Sequence, residues 1–260
     1  MHIAQYIKAQ DLESAWELNQ KKGSVIIGGG CWLRLSQKRM YRQVIDLAGL
    51  GLDTIEETDG AIRIGAMTTL RQVELSPVLA QYTQGAFREA VRHIVGTQFR
   101  NMATMGGSVC GRFGFSDILT LLMALQADVE LYKKGRMPIT AFVTEGAGQD
   151  ILTHIIIPKT ARRTAYASLR LNATDFPIIA CAVSCTDTMV YSAIGARPMR
   201  AQVQAAAKQD VLTHGLDKTA QTWADGLTYG TNTRGSAVYR HDMAGVLCRR
   251  VLKQTLEEDV

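Results

Sequence analysis

No stretch of the 260 residues approaches the roughly 18 uncharged apolar residues that a membrane-spanning helix requires. The N-terminus carries Lys8, Asp11 and Glu13 and lacks the apolar centre of a secretory signal, so a cytoplasmic protein is expected. Cysteine is sparse and scattered, at Cys31, Cys110, Cys181, Cys185 and Cys248. An odd number with no CxxC pair argues against a disulfide framework and fits free thiols in a reducing compartment. Cys181 and Cys185 lie four apart in a strand-like stretch, so no iron–sulfur or zinc site is expected and no metal ligands are assigned. A dominant charge is lacking as well: 29 Lys and Arg against 24 Asp and Glu leave a net +5. The basic clusters are short, Arg249-Arg250 being one, and no basic stripe interleaves with aromatics, so nucleic acid is not an expected partner.

The common catalytic signatures are also missing. There is no GxxxxGK[ST], which excludes P-loop hydrolysis of ATP or GTP, and no complete GxGxxG, GxSxG or HExxH. The five histidines are far apart, no carboxylate pair stands out, and no catalytic side chain is assigned. What is present is ordinary globular composition, 47% hydrophobic and 20% charged, at a length that suits one or two domains of about 150 residues.

Short strands and helices alternate irregularly. Asp11 is placed to cap a helix to about residue 21, and Gly23 ends it. Ser24–Ile27 reads as a buried strand running into Gly28-Gly29-Gly30, and residues 44–47 as another. Residues 52–56 and Ala61–Gly65 form a hairpin pattern around Asp59-Gly60. Thr68 or Thr69 starts a short helix, Ser76-Pro77 breaks the chain, and a second helix is expected near residues 84–94. Residues 101–115 are glycine-rich and nearly uncharged, and Ser116 and Asp117 cap an apolar helix at 118–125. Strands are expected at 128–132 and 151–157, and then a three-stranded meander at 165–171, 178–186 and 189–194. Helices are expected near 201–208 and 238–256. These are not regular βαβ units. The class is α+β, with a boundary near residues 158–163.

Two glycine-rich loops carry the best chemical signal, Gly28-Gly29-Gly30-Cys31 and Thr104-Met105-Gly106-Gly107-Ser108. Glycine admits positive φ and lets main-chain N–H groups approach an anion without an intervening Cβ. Either loop alone is equally well a tight turn. As a pair in an uncharged setting, they suit the two phosphates of a dinucleotide. The sequence thus points to a bound cofactor more than to side-chain acid–base work, and redox chemistry fits, because there the cofactor carries the reaction.

The string Val25-Ile26-Ile27-Gly28-Gly29-Gly30-Cys31-Trp32-Leu33 resembles the first phosphate loop of a known family, and Arg63-Ile64-Gly65-Ala66-Met67-Thr68-Thr69 resembles its following hairpin strand. More specific are Gln98-Phe99-Arg100-Asn101-Met102-Ala103-Thr104-Met105-Gly106-Gly107-Ser108 and Phe115-Ser116-Asp117. Ile155-Ile156-Ile157-Pro158, residues 198–207 and Tyr239-Arg240 complete a likeness that covers nearly the whole chain. The family is the FAD-binding medium subunit of the molybdenum hydroxylases, which includes the flavoprotein subunits of bacterial xanthine and carbon monoxide dehydrogenases.

The resemblance implies a vanillyl-alcohol-oxidase-type, PCMH-like fold. Its FAD-binding domain would occupy residues 1–160, with two α+β subdomains at about 1–50 and 51–160 clasping FAD. A C-terminal α+β domain of the carbon monoxide dehydrogenase flavoprotein type would follow at 161–260, with a three-stranded antiparallel sheet. The resemblance assigns the FAD pyrophosphate to Ile27, Gly28, Gly29, Gly30, Cys31 and Trp32 and to Thr104, Met105, Gly106, Gly107 and Ser108. It makes Asp117 an acidic FAD contact, with a plain helix cap as the alternative. Ile94 would lie against the cofactor and Leu152 near the flavin ring, with core packing as the alternative for both. The sequence departs from the pattern at Gly30 and Cys31, where hydroxyl or other polar contacts are usual, and at Ser108, where Asn or Asp is common. Ala167 and Ser168 stand where some relatives carry a lysine.

The implied role is electron transfer. FAD would receive electrons from the iron–sulfur centres of a small [2Fe-2S] partner, fed by a large molybdopterin subunit, and pass them to NAD or another acceptor. The alternative is a non-catalytic scaffold or assembly subunit that has lost or changed its nucleotide. An isolated chain is expected to self-associate as a homodimer through the partner-facing patch.

Overall fold

The computed structural model describes residues 2–33 and 40–256. Contacts divide the chain into two compact units that interleave in sequence. The first comprises Met1–Gln72, Thr97–Gly111 and Ala127–Pro158, and the second Val73–Gly96, Arg112–Gln126 and Lys159–Val260.

In the first unit a three-stranded parallel sheet has Gln43–Asp46 at its centre, flanked by Tyr6–Lys8 and Ser24–Ile27. Helix Leu12–Asn19 connects the two flanking strands. Asp11 caps it, accepting from the Ser14 N–H at 2.7 Å, and Gly23 turns the chain at φ +92°. Ile45, Leu47, Leu52, Ala15 and Ile151 form the buried core beside this sheet. A five-stranded antiparallel sheet follows the order Ile55–Glu57, Ala61–Gly65, Leu152–Pro158, Asp128–Leu131, Gly135–Pro138. The expected hairpin is its first pair. Register shifts between Leu152 and His154, where a bulge interrupts the ladder.

In the second unit four antiparallel strands form a meander, Arg162–Leu169, Ile179–Thr186, Met189–Gly195 and Gln202–Ala207. The expected three-stranded sheet is therefore corrected to four strands, and the helix expected at 201–208 is a strand. Its Gln- and Ala-rich sequence favours helix locally, but pairing along the open edge of Met189–Gly195 overrides that preference. The sheet packs against helix Ala237–Leu256 through Ile179, Cys181, Val183, Ala244, Cys248 and Val251.

Two buried arginines tie loops to this core. Arg240 donates to the carbonyls of Ile178 and Ala196 and to Asn232 Oδ1. Arg197 donates to the Thr228 and Arg200 carbonyls at 2.6 and 2.7 Å. Ser76-Pro77 not only ends one helix but starts another, Pro77–Tyr82. Ser76 Oγ accepts from the Leu79 N–H, and Pro77 occupies a first-turn position where its missing N–H costs nothing. Helices Ala86–Val91, Asp117–Ala124, Lys208–His214 and Leu216–Asp225 complete this unit.

Candidate functional site

Strand Ser24–Ile27 delivers the chain into Gly28, and Gly29 and Gly30 both take positive φ, +69° and +71°. A Cβ on Gly28 would stand 2.5 Å from Thr104 Oγ1, and one on Gly29 only 1.7 Å from the Met102 carbonyl oxygen. The two glycine loops are thus in direct contact within the first unit. Thr104 joins them: its hydroxyl donates to the Gly28 carbonyl at 3.3 Å and accepts from the Gly107 N–H at 3.2 Å.

The second loop is helical over Met105–Cys110, with Thr104 as its cap, which glycine content had masked in the sequence. Gly106 is required by proximity, since its Cβ would lie 2.8 Å from the Ala66 carbonyl. Gly107 is less constrained, with nearest atoms at 3.3–3.4 Å. Trp32 Nε1 donates to Ser108 Oγ at 3.0 Å, Ser108 Oγ donates to the Thr104 carbonyl, and the Trp32 ring meets Phe99 edge-on at 5.1 Å. Trp32 and Ser108 therefore brace the loops against each other. Cys31 Sγ turns back toward the Gly29 carbonyl at 3.6 Å.

A cleft of about 90 Å³ opens between the loops. Ile27, Gly28, Thr104, Gly106, Gly107 and Leu152 line it, bringing six of the expected residues together. Met105 is buried beneath. Cys110 and Asp150 also line the cleft and were not singled out in the sequence. Asp150 accepts main-chain N–H bonds from Lys133, Lys134 and Ile151 and so fixes the turn entering the strand that carries Leu152. Its only sequence signal was an acidic residue before a buried strand. The residues fit a phosphate-bearing cofactor: Gly28 and Gly29 pack on Thr104 and the Met102 carbonyl too closely to admit a Cβ, and this brings the main chain of both loops together beside the cleft. Among the described residues, the main-chain N–H groups of Gly29 and Gly30 donate to no other main-chain group.

Asp117 and Ile94 belong to the second unit. Asp117 lies at the start of helix Asp117–Ala124, but Ser116 Oγ supplies the side-chain cap, accepting from the Leu119 N–H at 3.2 Å. The Asp117 side chain is 6% exposed, pairs with the equally buried Arg170 guanidinium and accepts from the Tyr166 hydroxyl. Burial pushes the Asp117 carboxyl up, against the opposing pull of Arg170 and Tyr166, and burial holds the Tyr166 phenol well above its usual range. Arg170 also donates to Ser168 Oγ and to the Asp175 carbonyl. The Asp175 carboxylate pairs with Arg234 at 3.0 Å, and the Arg234 guanidinium lies over the Phe176 ring. Phe176, Phe115 and Phe113 then follow in ring contact. Ile94 is a buried residue just after helix Ala86–Val91.

A family described as the FAD binding domain in molybdopterin dehydrogenase matches residues 2–160. The nicotine 6-hydroxylase medium subunit of Paenarthrobacter nicotinovorans is 27% identical over 271 residues, covering 95% of each chain. The carbon monoxide dehydrogenase medium chain of Afipia carboxidovorans is 28% identical over 255 residues, covering 88% of this chain and 87% of that one. The fold matches a carbon monoxide dehydrogenase chain from Hydrogenophaga pseudoflava with a TM-score of 0.85. That match covers 97% of each chain at 22% identity, a likeness of fold.

Proposed function

The chain belongs to the family of FAD-binding domains in molybdopterin dehydrogenases, and from that membership we propose that it is the medium subunit of a molybdenum hydroxylase, relaying electrons from a partner's iron–sulfur centres to NAD or another acceptor. The observation that carries this reading is the contact between the two glycine loops in one unit, bridged by Thr104. When bound, FAD supplies the exchange between one-electron and two-electron transfer that links such centres to an acceptor.

The chain's own contribution is position. Residues 27–32 and 104–108 would hold the pyrophosphate by main-chain N–H groups, with glycine allowing the positive φ and the close loop contact that bring those groups together. Thr104, Trp32 and Ser108 keep the loops in register. Leu152 lines the cleft while only 4% exposed, and its place near the flavin ring is carried on the resemblance. Asp117 and Ile94 are carried as cofactor contacts on the resemblance alone. The iron–sulfur and molybdopterin chemistry is assigned to a small and a large partner subunit.

The test is to co-express the chain with a [2Fe-2S] subunit and a molybdopterin subunit encoded beside it, then denature the purified complex. We expect all three to co-purify and to release FAD. Release of FMN alone overturns the assignment. A complex that forms with a colourless chain favours the scaffold reading. Three folded, cofactor-loaded chains that elute separately overturn the subunit reading.

A further inference from the structure

The net charge of +5 is modest for the whole chain, yet the fold concentrates cations at one place on the second unit. A concavity of about 530 Å³ is lined by Lys218, Arg249, Arg250, Lys253, His214 and Asp217. A second, of about 330 Å³, adjoins it and shares His214 and Lys218, so the two make one groove. Its further end is different in character. Trp223, 7% exposed, forms part of the floor, and Asp210, Thr219 and Thr222 line the walls.

Among the described residues that line the basic end, Lys218, Arg249 and Arg250 gather beside one carboxylate, Asp217. Asp217 meets Arg249 at 3.4 Å with both side chains more than half exposed, a pair too solvated to contribute much. Among the described residues, Lys218 and Arg250 make no ion pair. Like charges gathered in a concavity repel one another, and an anion with several oxygens relieves that repulsion while accepting charge-assisted hydrogen bonds from the arginines. The other end offers a carboxylate acceptor and hydroxyls, groups that match ribose hydroxyls and a base amino group, above an aromatic floor.

We propose that this groove binds a nucleoside diphosphate, with the phosphates against Lys218, Arg249 and Arg250 and the nucleoside along Asp210 and Thr222. This site is separate in residues from the glycine loops and does not rest on the flavin assignment.

The test is calorimetric titration of FAD-loaded protein, its loading read from flavin absorbance so that the glycine loops are already filled. ADP, pyrophosphate, adenosine and polyglutamate are titrated in turn. We expect saturable one-to-one binding of ADP, binding of pyrophosphate about tenfold weaker, and none of adenosine or polyglutamate. In the Arg249→Ala/Arg250→Ala variant, whose altered residues are exposed, ADP binding falls about tenfold or more while the circular dichroism is unchanged. No saturable ADP binding, or equal affinity in the variant, overturns the proposal. Pyrophosphate binding as tightly as ADP overturns its nucleoside half. Polyglutamate binding in place of ADP makes the groove a docking face for an acidic protein and overturns it. If the chain takes up no FAD, the flavin assignment fails by absorbance alone, and the difference in ADP binding between parent and variant still decides this one.

Discussion

Gly29 and Asp117 carry the same expectation, contact with a flavin nucleotide, but the two units hold them by different physics. In the first unit the candidate site is made of main chain. Positive φ at Gly29 and Gly30, and the near contact of Gly28 and Gly29 with the second loop, leave no room for a side chain. In the second unit it is made of buried charge. Asp117 Oδ1 accepts from both Arg170 and Tyr166, and Arg170 reaches on to the Asp175 carbonyl. A main-chain site tolerates change in surrounding side chains but not an added Cβ. A charge network tolerates changes of shape but not the loss of one partner.

The largest expected effect follows from that second statement. Arg170→Met leaves Asp117 buried without its cation and should cost about 3–5 kcal/mol in urea unfolding. Adding Asp117→Asn to it should recover part of the loss, because no uncompensated charge then remains. A loss in Arg170→Met below about 1 kcal/mol would show that the pair contributes no more than a solvated surface pair and that the stability of this region lies elsewhere.

An intermediate effect separates glycines of the first unit from one another. Gly29→Ala asks an alanine to hold positive φ, a strain on the order of 1–3 kcal/mol, and also drives a Cβ into the Met102 carbonyl so that the loop must shift; it should abolish FAD retention while circular dichroism shows the fold kept. Gly107→Ala, in a helix with its nearest atoms at 3.3 Å or more, should retain FAD. Gly107→Val should crowd Trp32 and lose it. Equal retention by the Gly29 and Gly107 alanine variants would show that main-chain geometry is not what holds the ligand.

The smallest effect tests exposed charge in the second unit. His241 lies between Asp242 and Asp225, and both carboxylates raise its imidazole above the usual range. A raised folded value means that the stabilisation is complete below the unfolded value near about pH 6.5 and fades as pH rises through the higher folded one. The denaturation midpoint of the parent should therefore fall slightly from about pH 6 to 8 relative to His241→Gln, and parallel curves would remove His241 from the account.

Much of the architecture was readable along the chain. The Asp11 cap, the strand into Gly28, the hairpin at Ala61–Gly65, the Ser116 cap and the last long helix are each specified by residues within a few positions of one another. The edge strand Gln202–Ala207 was not, because its own residues favour helix and only the open edge of a neighbouring strand makes it extended. Helix Met105–Cys110 was hidden by its glycines, whose purpose is close approach to Ala66 and Gly28.

The candidate site divides in the same way. Both glycine loops could be found from sequence alone, since the lack of a Cβ is a property of one residue and needs no partner to be recognised. That Thr104 bridges them, that Asp150 fixes the turn before Leu152, and that Asp117 is matched by Arg170, 53 residues on, emerge only in the folded chain. The basic groove is the extreme case. Lys218 and the Arg249–Arg250 pair are unremarkable surface charges in sequence, and only the packing of helix Leu216–Asp225 on Ala237–Leu256 brings them to one concavity. Backbone permission is written locally, residue by residue. Electrostatic fields and hydrogen-bond networks depend on distances of a few ångströms between groups far apart in the chain, and those distances exist only after folding.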